Sequence, residues 1–396
     1  MKVLMINSVC GIGSTGRICT DIAETLEAQN HECKIAYGRG SVPEKFRKYA
    51  VRIGNNTGVN LHALQTRIFD NTGSGSKAAT KRFIKWVKEY DPDVIHLHNI
   101  HGYYINIGVL FDYLKKAEKK IIWTLHDCWA FTGHCAHFEL VGCNKWKDGT
   151  CGNCPQKKEY PASMVFDNSK NNFIKKKNLF TGVSDMTVVV PSEWLASIVR
   201  SSFLNEYNIK IIRNGIDTDL FKPTFGDFRK RHGLKDKKII LGVASAWSER
   251  KGFNDILKLS ETLDDNCRTV LVGADKKLIK SLPDNILGIT HTDNPTELAE
   301  IYTCADVLVN PTFEDTYPTV NLEAQACGTP VITYRTGGSP ECVPEDHVTS
   351  ENNAKSLKQT VDKILSSQKC NVMSERLTNK KDFCSAYIEC YSATSE

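Results

Sequence analysis

One stretch, residues 306–333, constrains the fold more than any other part of the sequence. Its apolar run 306–311 predicts the end of a buried strand, and 331–333 predicts a second short strand. The polar loop between them leads into a short helix, which Pro318 is suited to begin and Gly328 to end. The order strand, loop, helix, strand is typical of a parallel α/β sheet.

Two carboxylates follow the first of these strands. Asp315 lies in the predicted loop, and Glu323 lies in the predicted helix. Open α/β sheets bind ligands beyond the carboxyl ends of their strands, which makes this pair a candidate site. Taken alone, the pair is equally consistent with two solvated surface acids, because exposed Asp and Glu are the norm.

Length and composition predict a soluble protein of two domains. The chain has 396 residues, of which 41% are hydrophobic and 24% charged, with a net charge of +5. It has no apolar run long enough for a transmembrane helix, and Met1–Asn7 resembles a first strand rather than a signal peptide, so we expect a cytoplasmic protein. Lysine clusters such as 175–177 could bind the anionic inner face of a membrane, or they could lie on solvated faces of helices. Nucleic acid is not among the expected partners.

A glycine-rich turn follows the first predicted strand, Val3–Ile6. The run Gly11–Arg17 leads into a helical pattern, and such a turn presents backbone N–H groups to a phosphate or a sugar. A dinucleotide fingerprint would also require an acid at the end of the next strand, where this chain has Gly38 and Arg39. The absence of this acid argues against NAD as a cofactor.

Histidines follow two further predicted strands. His96, His98 and His101 end or follow one, and His126 with Asp127 ends the next. Three close histidines could bind a metal ion, and His126 could be a satisfied core residue or a functional group. Its place at a strand end favours function, with the imidazole hydrogen-bonded to a substrate.

Cysteines cluster in the segment after His126. Cys135, Cys143, Cys151 and Cys154 have the spacing C-x7-C-x7-C-x2-C, and the last pair is a suitable half-site for tetrahedral zinc. The segment has few apparent apolar anchors, so we expect a structural zinc ion to supply the free energy that orders it. Disulfides are the alternative, and His134 and His137 are reserve ligands.

Around Asp315 and Glu323 the sequence resembles the donor-site motif of the retaining family 4 glycosyltransferases. The family has an acid, a spacer, a Glu and then a small-rich segment that Cys327–Val331 matches residue by residue. Asp315 stands where the family more often has Glu, and residues 316–318 replace its usual Phe-Gly.

Further motifs of the family follow in the correct order along nearly the whole chain. The matching segments are residues 93–99, His126–Asp127, Ser192 before a helix, Asn214–Asp217 with Phe221, and Lys251–Gly252. The family's arginine normally precedes the lysine by several residues, where this chain has 245–247, and Arg250 could substitute for it. Residues 286–293 resemble the segment that borders the base pocket.

The resemblance implies the GT-B fold, which has two Rossmann-like, doubly wound domains facing a central cleft. The expected domains are 1–207 on the acceptor side, with the cysteine-rich insert at 128–160, and 208–372 on the nucleotide-sugar side. A last helix within 373–396 would cross back to the first domain. The resemblance also implies retaining transfer of a hexosyl or related sugar from a UDP- or GDP-sugar to a hydroxyl of a glycan or lipid-linked acceptor. This reaction would belong to surface polysaccharide or glycan biosynthesis and would need no catalytic metal.

The site residues follow from the same resemblance. Catalytic roles are implied for His126, Lys251, Asp315 and Glu323. Donor contacts are implied for Gly13, Ser14, Thr15, Gly16, Arg17, Arg250, Lys251, Asp315, Thr316, Tyr317, Pro318, Thr319 and Glu323. Acceptor-side positions are His98, Asn99, His101 and Asp127. Two other functions remain open, a nucleotide-sugar epimerase of the same fold and a donor-binding protein without catalysis.

Overall fold

The computed structural model describes residues 1–292, 294–367 and 377–393. The chain divides into two compact units, the first comprising Met1–Ile212 with Phe383–Glu396 and the second Arg213–Asp382. The predicted boundary at residues 372 and 373, and the last residue of the predicted base-pocket segment, lie outside the described residues. Within the described part, none of the helices has the length and apolar character needed to cross a bilayer.

The first unit is built on a seven-stranded parallel sheet. Its strands are β1 (Lys2–Ile6), β2 (Glu32–Tyr37), β3 (Ala50–Arg52), β4 (Val94–Leu97), β5 (Lys120–Thr124), β6 (Met186–Val190) and β7 (Asn208–Ile211), in the order β3-β2-β1-β4-β5-β6-β7. The helices that connect them are α1 (Gly13–Ala28), α2 (Asn56–Phe69), α3 (Lys77–Tyr90), α4 (Ile107–Leu114), α5 (Ser169–Phe180) and α6 (Glu193–Arg200).

The second unit has a five-stranded parallel sheet. Its strands are β8 (Lys238–Val243), β9 (Cys267–Val272), β10 (Ile286–Ile289), β11 (Val307–Asn310) and β12 (Val331–Thr333), in the order β10-β9-β8-β11-β12. Its helices are α7 (Phe228–Arg231), α8 (Phe253–Glu261), α9 (Lys276–Ile279), α10 (Pro295–Cys304), α11 (Thr319–Ala326) and α12 (Ala354–Ser366). Short 3-10 helices lie at Glu44–Phe46, Trp129–Phe131, Glu249–Lys251, Ser339–Cys342 and Glu345–His347.

Side chains alternate between the two faces of each sheet, and both faces are buried, as is usual for parallel sheets. In β1, Leu4 and Ile6 belong to one apolar cluster of the first unit, whereas Val3 and Met5 belong to another. The second cluster is closed by α13 (Lys380–Ser392), whose buried side chains include Phe383, Tyr387 and Tyr391. The predicted α/β architecture of two doubly wound parallel sheets is confirmed.

Three predicted limits differ from the structure. The predicted second domain begins at 208, but Asn208–Ile211 is β7, which pairs with β6 and so belongs to the first unit; the units divide at Ile212 and Arg213. The predicted phosphate loop Gly13–Arg17 is the first turn of α1, and the loop itself precedes it. The helix before Gly328 begins at Thr319, with Pro318 as its N-cap.

The cysteine-rich insert is not poor in apolar anchors, contrary to expectation. Phe131, Phe138 and Trp146 are buried in the main cluster of the first unit, with their rings in mutual contact. Between the 3-10 turn ending at Phe131 and the start of α5, the chain forms no regular helix or strand. Aromatic packing therefore contributes to the order of the insert from Phe131 to Trp146.

Candidate functional site

Each sheet reverses its strand order at one point, and the candidate residues lie there. In the first unit the reversal lies between β1 and β4, and in the second it lies between β8 and β11. The loops that leave two such neighbouring strands diverge to opposite faces, which opens a crevice at the carboxyl ends. The geometry of each unit is described separately below.

In the second unit, Lys251 and Asp315 form an ion pair. The Lys251 Nζ atom lies 2.6 Å from Asp315 Oδ2, and each side chain is 20% exposed. Lys251 ends the 3-10 turn after β8, and Asp315 lies in the loop after β11. The reversal of strand order thus brings together two groups that stand 64 residues apart.

Two glycines allow these loops to approach each other closely. Gly252 has φ +71° and lies against the carbonyl of Pro311, and Gly337 has φ +55° and lies against the carbonyl of Asp315. A methyl group at either position would overlap those oxygen atoms. The N–H of Gly338 donates to the same Asp315 carbonyl at 3.0 Å, and this hydrogen bond fixes the backbone of Asp315.

Arg250 points to the backbone of the neighbouring loop. Its Nη1 donates to the carbonyl of Glu314 at 3.1 Å, while its own carbonyl accepts from the N–H of Phe313 at 2.8 Å. Glu314 itself is only 2% exposed. Arg250 therefore ties the two loops together, a role that its sequence position did not indicate.

Glu323 is held by a tyrosine of the preceding helix. The Tyr302 hydroxyl donates to Glu323 Oε2 at 2.9 Å, from a side chain that is completely buried. Glu323 is half-buried on α11. The contact with Tyr302 therefore fixes the orientation of the Glu323 carboxylate.

The loop between Asp315 and α11 turns inwards. Thr316, Tyr317 and Pro318 are buried and Thr319 is half-buried. The N–H of Tyr317 donates to Asp315 Oδ1 at 3.3 Å, and the amide of Asn214 donates to the Tyr317 carbonyl at 3.1 Å. These contacts fix the backbone between the two acids.

In the first unit, three histidines form a buried row behind the carboxyl ends of β4 and β5. The rings of His96 and His98 have centroids 4.0 Å apart, and His98 Nδ1 lies 3.0 Å from His126 Nε2. His96 contacts the Tyr391 hydroxyl at 2.6 Å and the Thr124 hydroxyl at 2.7 Å. The row thus runs from α13 to His126.

Burial governs the charge of this row. It lowers the pKa of His126 to about 4, and it lowers the pKa of His96 and His98 as well. All three imidazoles are therefore neutral at physiological pH. A neutral imidazole at His126 can accept or donate a hydrogen bond according to its tautomer.

Asp127 is the charged group of this region. His101 Nε2 lies 2.8 Å from Asp127 Oδ2, and the N–H of Trp129 donates to Oδ1 at 2.9 Å. Burial raises the pKa of Asp127, but the neighbouring His101 and the N–H of Trp129 more than offset this and hold it well below its usual range. Asp127 is therefore an ionised carboxylate beside neutral His126.

Asn7, which follows β1, hydrogen-bonds both to the glycine-rich loop and α1 and to Asn99. Its amide donates to the carbonyl of Val9 at 2.9 Å and contacts the Thr15 hydroxyl at 3.3 Å, and its oxygen accepts from the N–H of Asn99 at 3.3 Å. Gly13, Ser14 and Arg17 are exposed, Thr15 is half-buried and Gly16 is buried. Gly16 lies close to the N–H of Gly11, which explains the need for glycine there.

The four cysteines of the insert line one small cavity in the first unit. Cys135, Cys143, Cys151 and Cys154 surround about 20 Å³ and are free thiols. Across residues 1–292, 294–367 and 377–393, no three His, Cys, Asp or Glu side chains are arranged to hold a metal ion. The structure therefore brings the predicted zinc ligands together but does not show a coordination site.

Comparison with known families decides between the possible interpretations of this geometry. Residues 15–220 match the model of "Glycosyltransferase Family 4", and residues 225–380 match "Glycosyl transferases group 1". The chain belongs to glycosyltransferase family 4. The predicted family and the predicted transferase activity are thereby confirmed.

The named relatives have low sequence identity to this glycosyltransferase, but they align with much of its length. The chain is 24% identical over 359 residues to WcaC of Escherichia coli, a provisionally assigned colanic acid biosynthesis glycosyl transferase, covering 86% of this chain and 85% of that one. It is 25% identical over 263 residues to a D-inositol 3-phosphate glycosyltransferase of Corynebacterium jeikeium, covering 60% of this chain and 59% of the relative.

Solved structures of low sequence identity share the fold. Sucrose-phosphate synthase from Thermosynechococcus elongatus has a TM-score of 0.71 at 16% identity, and each chain is covered to 98%. Anabaena HepE, solved with UDP-glucose, has a TM-score of 0.68 at 15% identity with complete coverage of both chains. WaaG, a glycosyltransferase involved in lipopolysaccharide biosynthesis, has a TM-score of 0.62 at 14% identity, with 98% of this chain and 95% of that one covered.

Proposed function

We propose that this glycosyltransferase transfers a hexosyl or related sugar from a UDP- or GDP-sugar to a hydroxyl of a glycan or lipid-linked acceptor, with retention at the anomeric carbon. The acceptor would belong to surface polysaccharide biosynthesis. The named role of WcaC and the HepE complexes with UDP and UDP-glucose support these choices of acceptor and donor.

The Lys251–Asp315 ion pair is the observation that carries the proposal. The two groups stand at the strand-order reversal of the second unit with opposite charge and little exposure. A bound nucleotide sugar offers both of them a better partner, because its diphosphate is anionic and its hydroxyls are donors. Lys251 would turn to the diphosphate and Asp315 to the hexose hydroxyls.

The remaining donor residues have supporting roles in this proposal. Glu323, oriented by Tyr302, would accept hydrogen bonds from the ribose hydroxyls. Residues 316–319 would offer backbone groups to the donor. Arg250 holds the loop of Glu314, and its contact with phosphate would be secondary to that structural role.

We assign the acceptor side to the first unit. Asp127 is ionised and could accept a hydrogen bond from an acceptor hydroxyl, and neutral His126 could bind the sugar or the acceptor. His98, Asn99 and His101 would position these two groups. The first turn of α1, Gly13–Arg17, would direct its N–H groups at a phosphate or at the acceptor.

Retention is proposed to proceed without an enzymatic nucleophile. The bond from the anomeric carbon to the leaving phosphate oxygen breaks, and the bond to the acceptor oxygen forms on the same face through an oxocarbenium-like state. The acceptor proton passes to the departing phosphate oxygen. Lys251 would stabilise the charge that develops on the diphosphate, and no metal ion takes part in this scheme.

The first experiment identifies the donor and then tests turnover. A thermal-shift panel of UDP-, GDP- and ADP-sugars reveals which donor stabilises the chain, since ligand binding raises the melting temperature. Release of nucleoside diphosphate from that donor is then measured with and without a glycan acceptor. Lys251→Ala is expected to reduce acceptor-dependent release about 100- to 1000-fold.

Lys258→Ala is the matched control, because Lys258 lies on the exposed face of α8 and pairs only with Asp255 among the described ion pairs. It should leave the rate unchanged. Conversion of the donor sugar without an acceptor would indicate an epimerase. Binding without turnover of any donor would indicate a donor-binding protein, and either result would overturn the proposal.

An exposed apolar surface supports peripheral association with the inner face of a membrane. The segment Met164–Phe166 hydrogen-bonds to the last turn of α2, and the rings of Phe69 and Phe166 are stacked with centroids 5.9 Å apart. Leu61, Leu64, Phe69, Met164, Val165 and Phe166 are all at least half exposed. Lys157 donates to the carbonyl of Val165, which places a positive charge at this surface.

Vesicle co-sedimentation tests this part of the proposal. The full chain should sediment with anionic phosphatidylglycerol vesicles, and Met164→Glu with Val165→Glu should release it. Phe225→Glu is the control, since Phe225 is 90% exposed and lies in the second unit. Equal release by the control, or no sedimentation of the wild-type chain, would contradict membrane association.

A further inference from the structure

The thiol-lined cavity of the insert is separate from every residue assigned to sugar transfer. Its volume of about 20 Å³ is suited to an ion or a single water molecule rather than to an organic ligand. Cys135 is buried, and Cys143, Cys151 and Cys154 are half-buried. Four thiols from positions spread over twenty residues of sequence converge on this small space.

Contacts that do not involve sulfur hold the thiols around the cavity. Lys145 Nζ donates to the carbonyls of Gly152 at 2.9 Å and Asn153 at 3.1 Å, inside the turn between Cys151 and Cys154. The N–H of Cys154 donates to Asp167, and Gly133 lies so close to Cys151 that a side chain there would collide with it. The turn is therefore preformed.

The thiols also interact with one another. A hydrogen bond joins the thiols of Cys135 and Cys154, so these two sulfur atoms lie next to each other. Cys143 and Cys151 complete the lining.

A buried lysine, Lys176, lies near Cys135 and Cys151. Lys176 is 2% exposed and donates to the carbonyls of Trp129 at 2.7 Å and Thr132 at 3.0 Å. It forms no ion pair among the described residues, and burial lowers its pKa to about 7, against the opposing influence of Cys135 and Asp70. A buried ammonium is costly unless negative charge lies near it.

His134 lines the same cavity and remains the reserve ligand of this site. Its Nδ1 is paired with Asp70, and its Nε2 is buried without a hydrogen-bond partner. A carboxylate on one ring nitrogen is the usual arrangement of a histidine that can bind a metal ion through the other.

We propose that Cys135, Cys143, Cys151 and Cys154 bind one Zn²⁺ ion as thiolates, with the buried Lys176 compensating part of the resulting negative charge. Binding converts four thiols and Zn²⁺ into a complex of charge −2 and releases four protons to solvent. The thiols are gathered but not in coordinating positions, so binding draws them inwards across the small cavity. The ion stabilises the part of the insert that follows its last aromatic anchor, Trp146, and that forms no regular helix or strand.

Metal content and thermal stability test this proposal on the full chain. Protein purified without chelator should contain about one zinc per chain. Cys151→Ser with Cys154→Ser should contain none, and its melting temperature should no longer respond to a strong chelator. Cys267→Ser with Cys304→Ser is the matched control, because both are half-buried free cysteines outside the cavity. The control should keep both its zinc and its response.

Cobalt gives a readout that does not depend on the variants folding. Wild-type chain stripped of metal and titrated with Co²⁺ should develop the intense visible absorption of a tetrahedral thiolate site, saturating at about one equivalent. Lys176→Met should weaken this binding. Absence of zinc together with no response to Co²⁺, or a mass that shows these cysteines joined as disulfides in freshly purified protein, would overturn the proposal.

Discussion

The Nδ1 atom of His98 lies 3.0 Å from the Nε2 atom of His126. Because both rings are neutral, one donates and the other accepts, so His98 selects the tautomer and the orientation of His126. His96 backs His98 in turn, with ring centroids 4.0 Å apart. We therefore regard His98 as a positioning residue for His126 in the proposed reaction.

Replacing His98 should affect turnover more than donor binding. His98→Ala removes the hydrogen bond that fixes His126, and a misplacement of this kind costs up to about 100-fold in rate. We expect kcat to fall while the KM for the donor, most of whose proposed contacts lie in the second unit, changes little. Steady-state kinetics measure both, and His232→Ala, an exposed histidine of the second unit, is the control. A raised donor KM with normal kcat would contradict this role.

The hydroxyl of Tyr302 should contribute to donor affinity through Glu323. Tyr302→Phe removes a 2.9 Å hydrogen bond to a carboxylate, an interaction that contributes about 1.5 to 3 kcal/mol. We expect the donor KM to rise by about tenfold to a hundredfold, the equivalent of that energy at 25 °C. Glu323→Gln should raise it at least as much. The double variant should show less than the product of the two effects, whereas independent effects would contradict the coupling.

A glycine behind Asp315 offers a test of loop geometry. Gly337→Ala places a methyl group against the Asp315 carbonyl and also strains a backbone with φ +55°. Gly233→Ala has the same backbone cost at φ +67° but no atom within 4 Å of the new methyl group. The control should lose about 1 kcal/mol of unfolding free energy. Gly337→Ala should lose more stability and also activity, as urea unfolding and turnover assays would show; equal losses would contradict the close approach.

The buried histidine row predicts a loss of stability in mild acid. Burial lowers the pKa of His126 to about 4 from an ordinary value of 6.5, and it lowers the pKa of His96 and His98 too. Between these values the unfolded chain binds protons that the folded chain does not. The free energy of unfolding should therefore be fully present above pH 6.5 and should fall as the pH drops towards about 4.

Urea unfolding at several pH values between 6.5 and 4.5 measures this dependence. Asp127, whose pKa lies well below its usual range, contributes stability that is lost only at lower pH, so it does not obscure the window. His98→Gln should flatten the dependence, and His232→Gln, at an exposed site, should not. A wild-type free energy of unfolding that is constant over this range would contradict the assignment.

Local sequence signals predicted much of the fold, because the caps and ends of helices depend on only a few neighbouring residues. Ser192 begins α6 and accepts from the N–H of Leu195 at 3.2 Å, and Gly328, at φ +84°, follows the end of α11, both as expected. The predicted limit at 207 assigns β7 to the second domain, because four residues at a sheet edge carry little periodicity. Its pairing with β6, which decides the matter, is not visible in the local pattern.

Contacts between distant residues were not predictable from the chain alone. Motif order placed Lys251 and Asp315 in one site, but their direct ion pair depends on the neighbouring positions of β8 and β11 in the sheet. Tyr302 and Asn7 were not predicted, because neither stands in a recognisable motif and each acts through one or more hydrogen bonds. The aromatic anchors of the insert were likewise hidden, as Phe138 and Trp146 stand singly among polar residues.

The helix α13 has a consequence for how the chain acquires its structure during synthesis. Tyr391 reaches His96 across 295 residues of sequence, so the first unit contains a gap that only a late-synthesised segment fills. While the ribosome makes the second unit, the apolar groove that receives Phe383 and Tyr387 stays open to solvent and to chaperones. The histidine row beside the proposed acceptor site is completed only after the second unit has emerged, so premature termination would yield a chain whose first unit is unfinished.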